Sequence, residues 1–210
     1  MIYSWQELSQ QIEAEVKQFD FSGKPSELYD PIGYTMTLGG KRIRPTLCLL
    51  AAQLFRGDLQ KAMNSALAVE VFHNFTLVHD DIMDEAPIRR GKPAVHAKWN
   101  RDVAILSGDV MFVQAYQLLA KGNPAKLSQM LAVFNQTAIE VCEGQQFDMN
   151  FETQEGVQVS DYIEMIRLKT AVLLACSLQL GAFESGASEK EAQLIYEFGE
   201  KIGIAFQIQD

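Results

Sequence analysis

An all-α fold is predicted for this 210-residue chain from three observations. Helical periodicity dominates the sequence, and no convincing period-two segment appears. The stretch from Asp58 to Ala86 contains no Pro or Gly and is bracketed by Gly57 and Pro87. Capping and breaking residues recur at helix-length intervals along the rest.

These signals predict eight helices, near 3–19, 26–38, 45–55, 59–84, 102–121, 124–149, 161–180 and 189–210. Gly39-Gly40 ends the second, and Pro45 suits the first turn of the third. The fourth is apolar over much of its circumference, through Leu59, Met63, Ala66, Leu67, Val69, Val71, Phe72, Phe75, Val78 and Ile82, as a helix at the centre of a bundle would be. Asn123-Pro124 reads as an N-cap with Pro at the first helical position. Ser188-x-x-Glu191 is a capping-box pattern opening the last helix. Residues 86–101 and 150–160 are the least regular, and neither looks like a domain linker, so one domain over 1–210 is expected. The last helix keeps its apolar spacing (Ile195, Phe198, Ile202, Phe206) with no stop signal before Asp210, which predicts a C-terminally incomplete fragment.

A composition 48% hydrophobic and 21% charged is that of an ordinary globular protein. Eighteen apolar residues never run together, and Met1–Glu7 lacks the basic and apolar regions of a signal peptide, so neither a membrane anchor nor a leader is expected. Cys48, Cys142 and Cys176 are odd in number and scattered, each in an apolar context, which fits buried thiols in a reducing cytosol. A net charge of −9 argues against nucleic acid. Yet Lys41, Arg42, Arg44, Arg89, Arg90, Lys92, Lys98 and Arg101 gather in two short segments, 41–44 and 89–101. An acidic chain that concentrates cations in this way is suited to a compact anion. The plainer alternative is two solvated basic loops.

The densest chemical signal is Asp80-Asp81-Ile82-Met83-Asp84, followed by Arg89-Arg90. Helical positions i, i+1 and i+4 fall within an arc of about 100°. Three carboxylates therefore crowd one face, with Glu85 beside them, at the negative end of a helix dipole. A hard divalent cation removes both penalties. Mg²⁺ is held by one or two carboxylates together with substrate phosphates, and the arginines downstream suit those phosphates.

Five segments in order resemble the trans-isoprenyl diphosphate synthases, or polyprenyl synthetases. They are Gly39-Gly40-Lys41-Arg42-Ile43-Arg44-Pro45; His73, seven residues before the Asp cluster; Asp80-Asp81-x-x-Asp84 with Arg89-Arg90-Gly91; Lys169-Thr170; and Phe206-Gln207-x-x-Asp210. The resemblance spans nearly the whole chain. It implies an isoprenoid-synthase-type helical bundle around a central cavity, working as a Mg²⁺-dependent prenyltransferase. Such an enzyme ionises an allylic diphosphate, lets isopentenyl diphosphate attack the cation, and loses a proton.

By the same resemblance, Asp80, Asp84 and Asp210 are metal ligands, with Asp81 outside the direct ligand set. Arg89, Lys169, Thr170 and Gln207 hold the allylic diphosphate, and Lys41, Arg44, His73 and Arg90 hold isopentenyl diphosphate. Asp80, Asp84, Lys169 and Arg89 form the catalytic set. Asp148, after Gln145-Gln146, matches a Gln/Asp segment and would orient Lys169 or a metal-bound water. Plainer alternatives stand beside these: a core His73, structural His79 and His96, solvated Arg42 and Lys92, and Gln145 and Gln146 as helix-surface residues.

Phe75, Thr76 and Phe72 precede the Asp cluster by five, four and eight residues. They share a face along which a growing chain would extend, and a ring there would stop it. That pattern resembles the short-chain farnesyl and geranylgeranyl types, the alternative being core packing alone. The second aspartate-rich motif would continue past Asp210 in the family, so the bundle is expected to be incompletely buried and marginal as a monomer. Family members are homodimers, and one is expected here. Competing readings are a class I terpene cyclase, which needs no isopentenyl site, a non-catalytic partner subunit of such a synthase, and a helical scaffold without ligand.

Overall fold

A computed structural model describes residues 2–209. The fold is all-α. The helices are α1 (Trp5–Gln18), α2 (Ser26–Thr37), α3 (Ile43–Leu54), α4 (Leu59–Met83), α5 (Val95–Lys98), α6 (Arg101–Leu119), α7 (Leu127–Phe151), α8 (Val159–Ile166), α9 (Val172–Glu184) and α10 (Glu189–Gln209). A π turn, Arg167–Ala171, joins α8 to α9. Asp210 lies outside the described residues.

The chain forms two compact units. One comprises the residues up to Thr46 with Ala66–Lys121; the other comprises Leu47–Ser65 with the residues from Gly122 onward. In the first unit, α1 buries Leu8, Ile12 and Val16, one residue per turn, and contacts α2. Its N-terminus is closed by a capping box between Ser4 and Glu7. α6 packs on α2 and buries Ala104, Met111 and Ala115. In the second unit, α9 is buried at every position and α10 lies along it. A Cβ on Gly199 of α10 would sit 2.8 Å from Ala175 Cα, so only glycine allows so close an approach. The capping box expected at Ser188 is present: Glu191 N donates to Ser188 Oγ at 3.3 Å, and Ser188 N to the Glu191 carboxylate at 2.9 Å. One face of α10 leaves Leu194, Phe198, Ile202 and Phe206 exposed.

Four sequence expectations shift. Cys142, expected to be buried like Cys48 and Cys176, is exposed on α7. Asn123-Pro124 does not open α7. The Asn123 side chain accepts from Ala125 N at 3.1 Å, its main-chain N donates to Glu184 Oε2 at 2.9 Å, and α7 begins three residues later at Leu127. The supposed helix 161–180 runs from 159 to 184 and contains the π turn. Within 86–101 there is a two-stranded hairpin, β1 (Ile88–Arg89) against β2 (Lys92–Pro93), too short for periodicity to reveal. The segment Val159–Glu184 is long and apolar enough to cross a membrane by composition, but 83% of its most apolar window is buried inside the fold, as befits a core helix.

Candidate active site

In the first unit, the end of α4 sets the acidic side of the site. Asp84 N donates to Asp80 O at 2.8 Å, which closes the last turn. Ala86 N then donates to Asp81 O at 3.0 Å across Glu85, whose φ is +50°. This is the 6→1 hydrogen bond of a Schellman-type end, with glutamate in the left-handed position that glycine usually fills. Asp81 is 4% exposed and accepts from Arg89 Nε at 2.9 Å and from the same guanidinium's Nη2. That hydrogen bond outweighs burial and raises the Arg89 pKa. Asp80 is half-buried and Asp84 exposed.

The hairpin separates the two arginines. Arg90 (φ +53°) and Gly91 (φ +74°) occupy its two central positions. Positive φ at both is what a type I′ turn requires. Arg89 turns to Asp81, and Arg90 Nη1 donates to the carbonyl of Gly39. Gly40 has φ +145°, and a Cβ there would lie 2.8 Å from the Arg90 guanidinium. The double glycine thus serves both the turn and the approach of Arg90.

Lys41, Arg44, His73 and Arg90 line one cleft of about 520 Å³, together with Leu38, Gly40, Arg42, Ile43 and Glu70. Arg44 Nη1 lies 3.1 Å from His73 Nε2. A guanidinium can only donate, so Nε2 accepts and the imidazole proton sits on Nδ1. Burial, and then Arg44 and the other arginines around it, push the His73 pKa well below its ordinary value, so the ring is neutral at pH 7. Burial pushes Arg44 down to about 10, with Arg90 adding to the effect and Glu70 opposing it, and Arg44 stays charged. Its Nε is a buried donor without a hydrogen-bond partner. A cleft of four cations, a neutral histidine and an unused donor suits a polyvalent oxyanion.

Arg42 departs from the solvated alternative. It is 3% exposed; its Nη1 contacts Glu70 Oε1 at 2.5 Å, its Nε contacts Glu13 Oε2 at 3.0 Å, and its Nη2 donates to Met36 O at 2.7 Å. Asn74 Nδ2 also donates to Glu70 Oε1, at 3.0 Å. Arg42's carboxylate partners lie 28 and 29 residues away in sequence, so no local spacing could have signalled them. Lys92 is exposed. His79 Nε2 lies 3.1 Å from Ile105 O, a structural contact, and half-buried His96 has its Nδ1 unpartnered.

The chain-length candidates sit one turn below. Phe75 stacks near Phe72 (ring centroids 5.5 Å), Phe112 (5.3 Å) and His79 (4.8 Å). Phe72 is 1% exposed, whereas Phe75 is half-buried. Thr76 Oγ1 donates back to His73 O at 2.8 Å.

In the second unit, Lys169 and Thr170 stand on the π turn. Such turns insert one residue into a helix and recur at functional positions. Lys169 Nζ lies 2.5 Å from Asp148 Oδ2 of α7. Gln145, one turn before Asp148, is 8% exposed with neither amide atom partnered, whereas Gln146 is exposed and donates to Asn150 at 2.8 Å. Gln207 is half-buried on α10, and Asp210, the remaining metal-ligand candidate, lies outside the described residues.

No group of three His, Cys, Asp or Glu side chains poised for a metal occurs among the described residues. Asp80 and Asp84, one turn apart at a helix end, are nonetheless the donor set Mg²⁺ takes when substrate phosphates complete its oxygen shell. Asp81, committed to Arg89, stands outside it.

Residues 25–210 match the polyprenyl synthetase family. The chain belongs to that family. It is 43% identical over 204 residues to a geranylgeranyl diphosphate synthase of Methanosarcina mazei, covering 96% of this chain and 63% of that protein. Among solved structures, a geranylgeranyl pyrophosphate synthase superposes with a TM-score of 0.95 at 48% identity, covering 98% of this chain and 63% of that one. The corresponding synthetase of Geoglobus acetivorans gives 0.92 at 36% identity, covering 97% and 67%. The chain thus spans less than two thirds of the Methanosarcina protein's length.

Proposed function

We propose that this chain carries the substrate-binding face of a Mg²⁺-dependent short-chain prenyltransferase. The reaction joins isopentenyl diphosphate to an allylic diphosphate to make farnesyl or geranylgeranyl diphosphate. The observation that carries this reading is the cleft in which Lys41, Arg44 and Arg90 surround a neutral His73. A terpene cyclase has no use for that second anion site.

In this reading Lys41, Arg44 and Arg90 hold the diphosphate of isopentenyl diphosphate, and His73 Nδ1 supplies a neutral donor. Arg89 and Lys169, with Thr170 and Gln207, hold the allylic diphosphate. Fixed positive charge on an allylic diphosphate would stabilise the pyrophosphate that departs as the C–O bond breaks, and so the transition state more than the ground state. Asp80 and Asp84, and Asp210 by resemblance, would hold Mg²⁺, which when bound supplies further charge neutralisation at the leaving group. Phe72, Phe75 and Phe112 give the growing chain an apolar wall free of nucleophiles. Residues 1–210 are taken as part of one synthase domain. A homodimer is expected, the exposed Ile105, Leu106 and Val113 of α6 being apolar surface available to a second copy.

The test supplies isopentenyl diphosphate, an allylic primer (dimethylallyl, geranyl or farnesyl diphosphate) and Mg²⁺, and reads products by mass. It uses this chain and the longer protein spanning the relatives' full length. Discrete C15 or C20 diphosphates support the reading. Hydrocarbon from the primer alone, with isopentenyl diphosphate unconsumed, would establish a cyclase instead. Diphosphate binding without turnover in either protein would point to a partner subunit.

A further inference from the structure

We propose that Arg42 is a positioning residue: a buried latch that sets the 39–44 segment so that Lys41 and Arg44 flank the anion cleft. The proposal rests on the diphosphate reading of that cleft and adds a residue to which that reading gives no role.

Arg42 lies between the two cations but does not share their surroundings. Its φ is +48°, a left-handed conformation unfavourable for a side chain with a Cβ. Its side chain is 3% exposed. One planar fork spans three elements of the first unit: Glu13 on α1, the Met36 carbonyl on α2 and Glu70 on α4. Its carbonyl accepts from Thr46 N at 3.1 Å and from Thr46 Oγ1 at 2.6 Å, fixing the first turn of α3, where Arg44 sits. Burial opposes the charge, but Glu70 and then Glu13 more than offset it and keep the guanidinium protonated. Only arginine offers donors in this spread.

The backbone consequence is specific. Arg42, held in the left-handed conformation, joins Lys41 directly to the first turn of α3, which carries Arg44. Lys41 is exposed and Arg44 half-buried, yet both line the cleft. Glu70, the acidic residue among the cleft's lining, is occupied by Arg42 and by Asn74 Nδ2. Arg42 and Glu70 therefore cancel, and the remaining charge facing an anion comes from Lys41, Arg44 and Arg90.

The test compares wild type with Arg42→Met/Glu70→Gln. The pair is neutralised together, so the cleft keeps its net charge and no buried carboxylate is stranded, as it would be in Arg42→Met alone. Three quantities are measured: amide hydrogen exchange over 38–44, affinity for inorganic pyrophosphate by calorimetry, and the thermal midpoint. The latch predicts faster exchange over 38–44 and about ten-fold weaker pyrophosphate binding, the loss of one well-oriented charged hydrogen bond, with little change in midpoint. Arg42→Lys, which keeps the charge but cannot span three acceptors, behaves the same way. Unchanged exchange overturns the latch, as does faster exchange with unchanged affinity. Affinity lost only in step with the midpoint also overturns it, because that is general destabilisation. If wild type binds no pyrophosphate and Lys41→Ala changes nothing, while exchange still rises, the diphosphate reading fails and the latch remains as a backbone device.

Discussion

A Cβ placed on Gly144 of α7 would lie 2.2 Å from the main-chain nitrogen of Lys169. The π turn therefore rests directly on a helix with no side chain at the contact. A helix that carries an extra residue per turn bulges outward, and Gly144 provides the room. Gly144→Ala is expected to cost about 1–3 kcal/mol, because the obstruction is backbone and cannot rotate away. Chemical denaturation would show a lower midpoint at unchanged slope. An unchanged midpoint would mean that the turn can shift freely.

The Lys169–Asp148 pair permits a sharper separation of structure from function. Its side chains are 28% and 38% exposed. A pair that open to solvent contributes less than about 1 kcal/mol to stability. Asp148→Asn should therefore leave the thermal midpoint nearly unchanged. If Asp148 aims the ammonium at an allylic diphosphate, the same change should lower kcat/KM for the allylic substrate by about ten- to hundred-fold. Equal activity in the variant would leave the contact an incidental surface pair.

Protonation of His73 links the cleft to pH. Its folded pKa is depressed well below the ordinary 6.5 by burial and the surrounding arginines. Below about pH 6.5 the unfolded chain binds a proton that the folded chain refuses, so stability falls as pH falls through that window and is restored above it. The expected slope is up to about 1 kcal/mol per pH unit after allowance for solvent screening. His73→Gln, which keeps a neutral acceptor beside Arg44, should reduce the loss between pH 7 and pH 5. A wild type and variant that lose stability in parallel would place the titration elsewhere.

How far the sequence led is clearest at α4. Its apolar circumference, its bracketing by Gly57 and Pro87 and the carboxylates at its end are local properties, and the helix runs Leu59–Met83 close to expectation. Lys41, Arg44, His73 and Arg90 could be named as a set only through resemblance, yet the structure lines one cleft with them. What escaped was non-local. Asp81 pairs with Arg89 only because a type I′ turn at Arg90-Gly91 folds the chain back, and two-residue strands leave no periodic trace. Arg42 looked like one more surface cation because burial by Glu13 and Glu70 requires three elements to be in place first. The π turn at Lys169 has no residue signature beyond a tolerant Gly144 facing it.

Glu85 tests the price of the bend that presents the Asp cluster. Its φ of +50° is the conformation glycine adopts without penalty. Glu85→Gly should be neutral or stabilising by up to about 1 kcal/mol, unlike the usual effect of glycine. A clear loss of stability would show that the Glu85 side chain makes a contact worth more than the strain.

Phe75 and Phe72 pack against one another, but their burial sets them apart. Phe72 is 1% exposed, and Phe72→Ala should cost about 3–5 kcal/mol as a core cavity, whatever it does to product. Phe75 is half-buried among Phe72, Phe112 and His79, so its removal opens space at a smaller cost. If its ring is the floor that ends elongation, Phe75→Ala in the longer protein should shift the main product upward by one or more C5 units at similar total turnover. Behind it Phe112 lies 5.1 Å from Tyr116, a second pair of rings that would limit the extension. Phe75→Ala/Phe112→Ala should then extend the product beyond the single variant. An unchanged product in Phe75→Ala, with the protein folded and active, would return Phe75 to the core and move the floor to another wall.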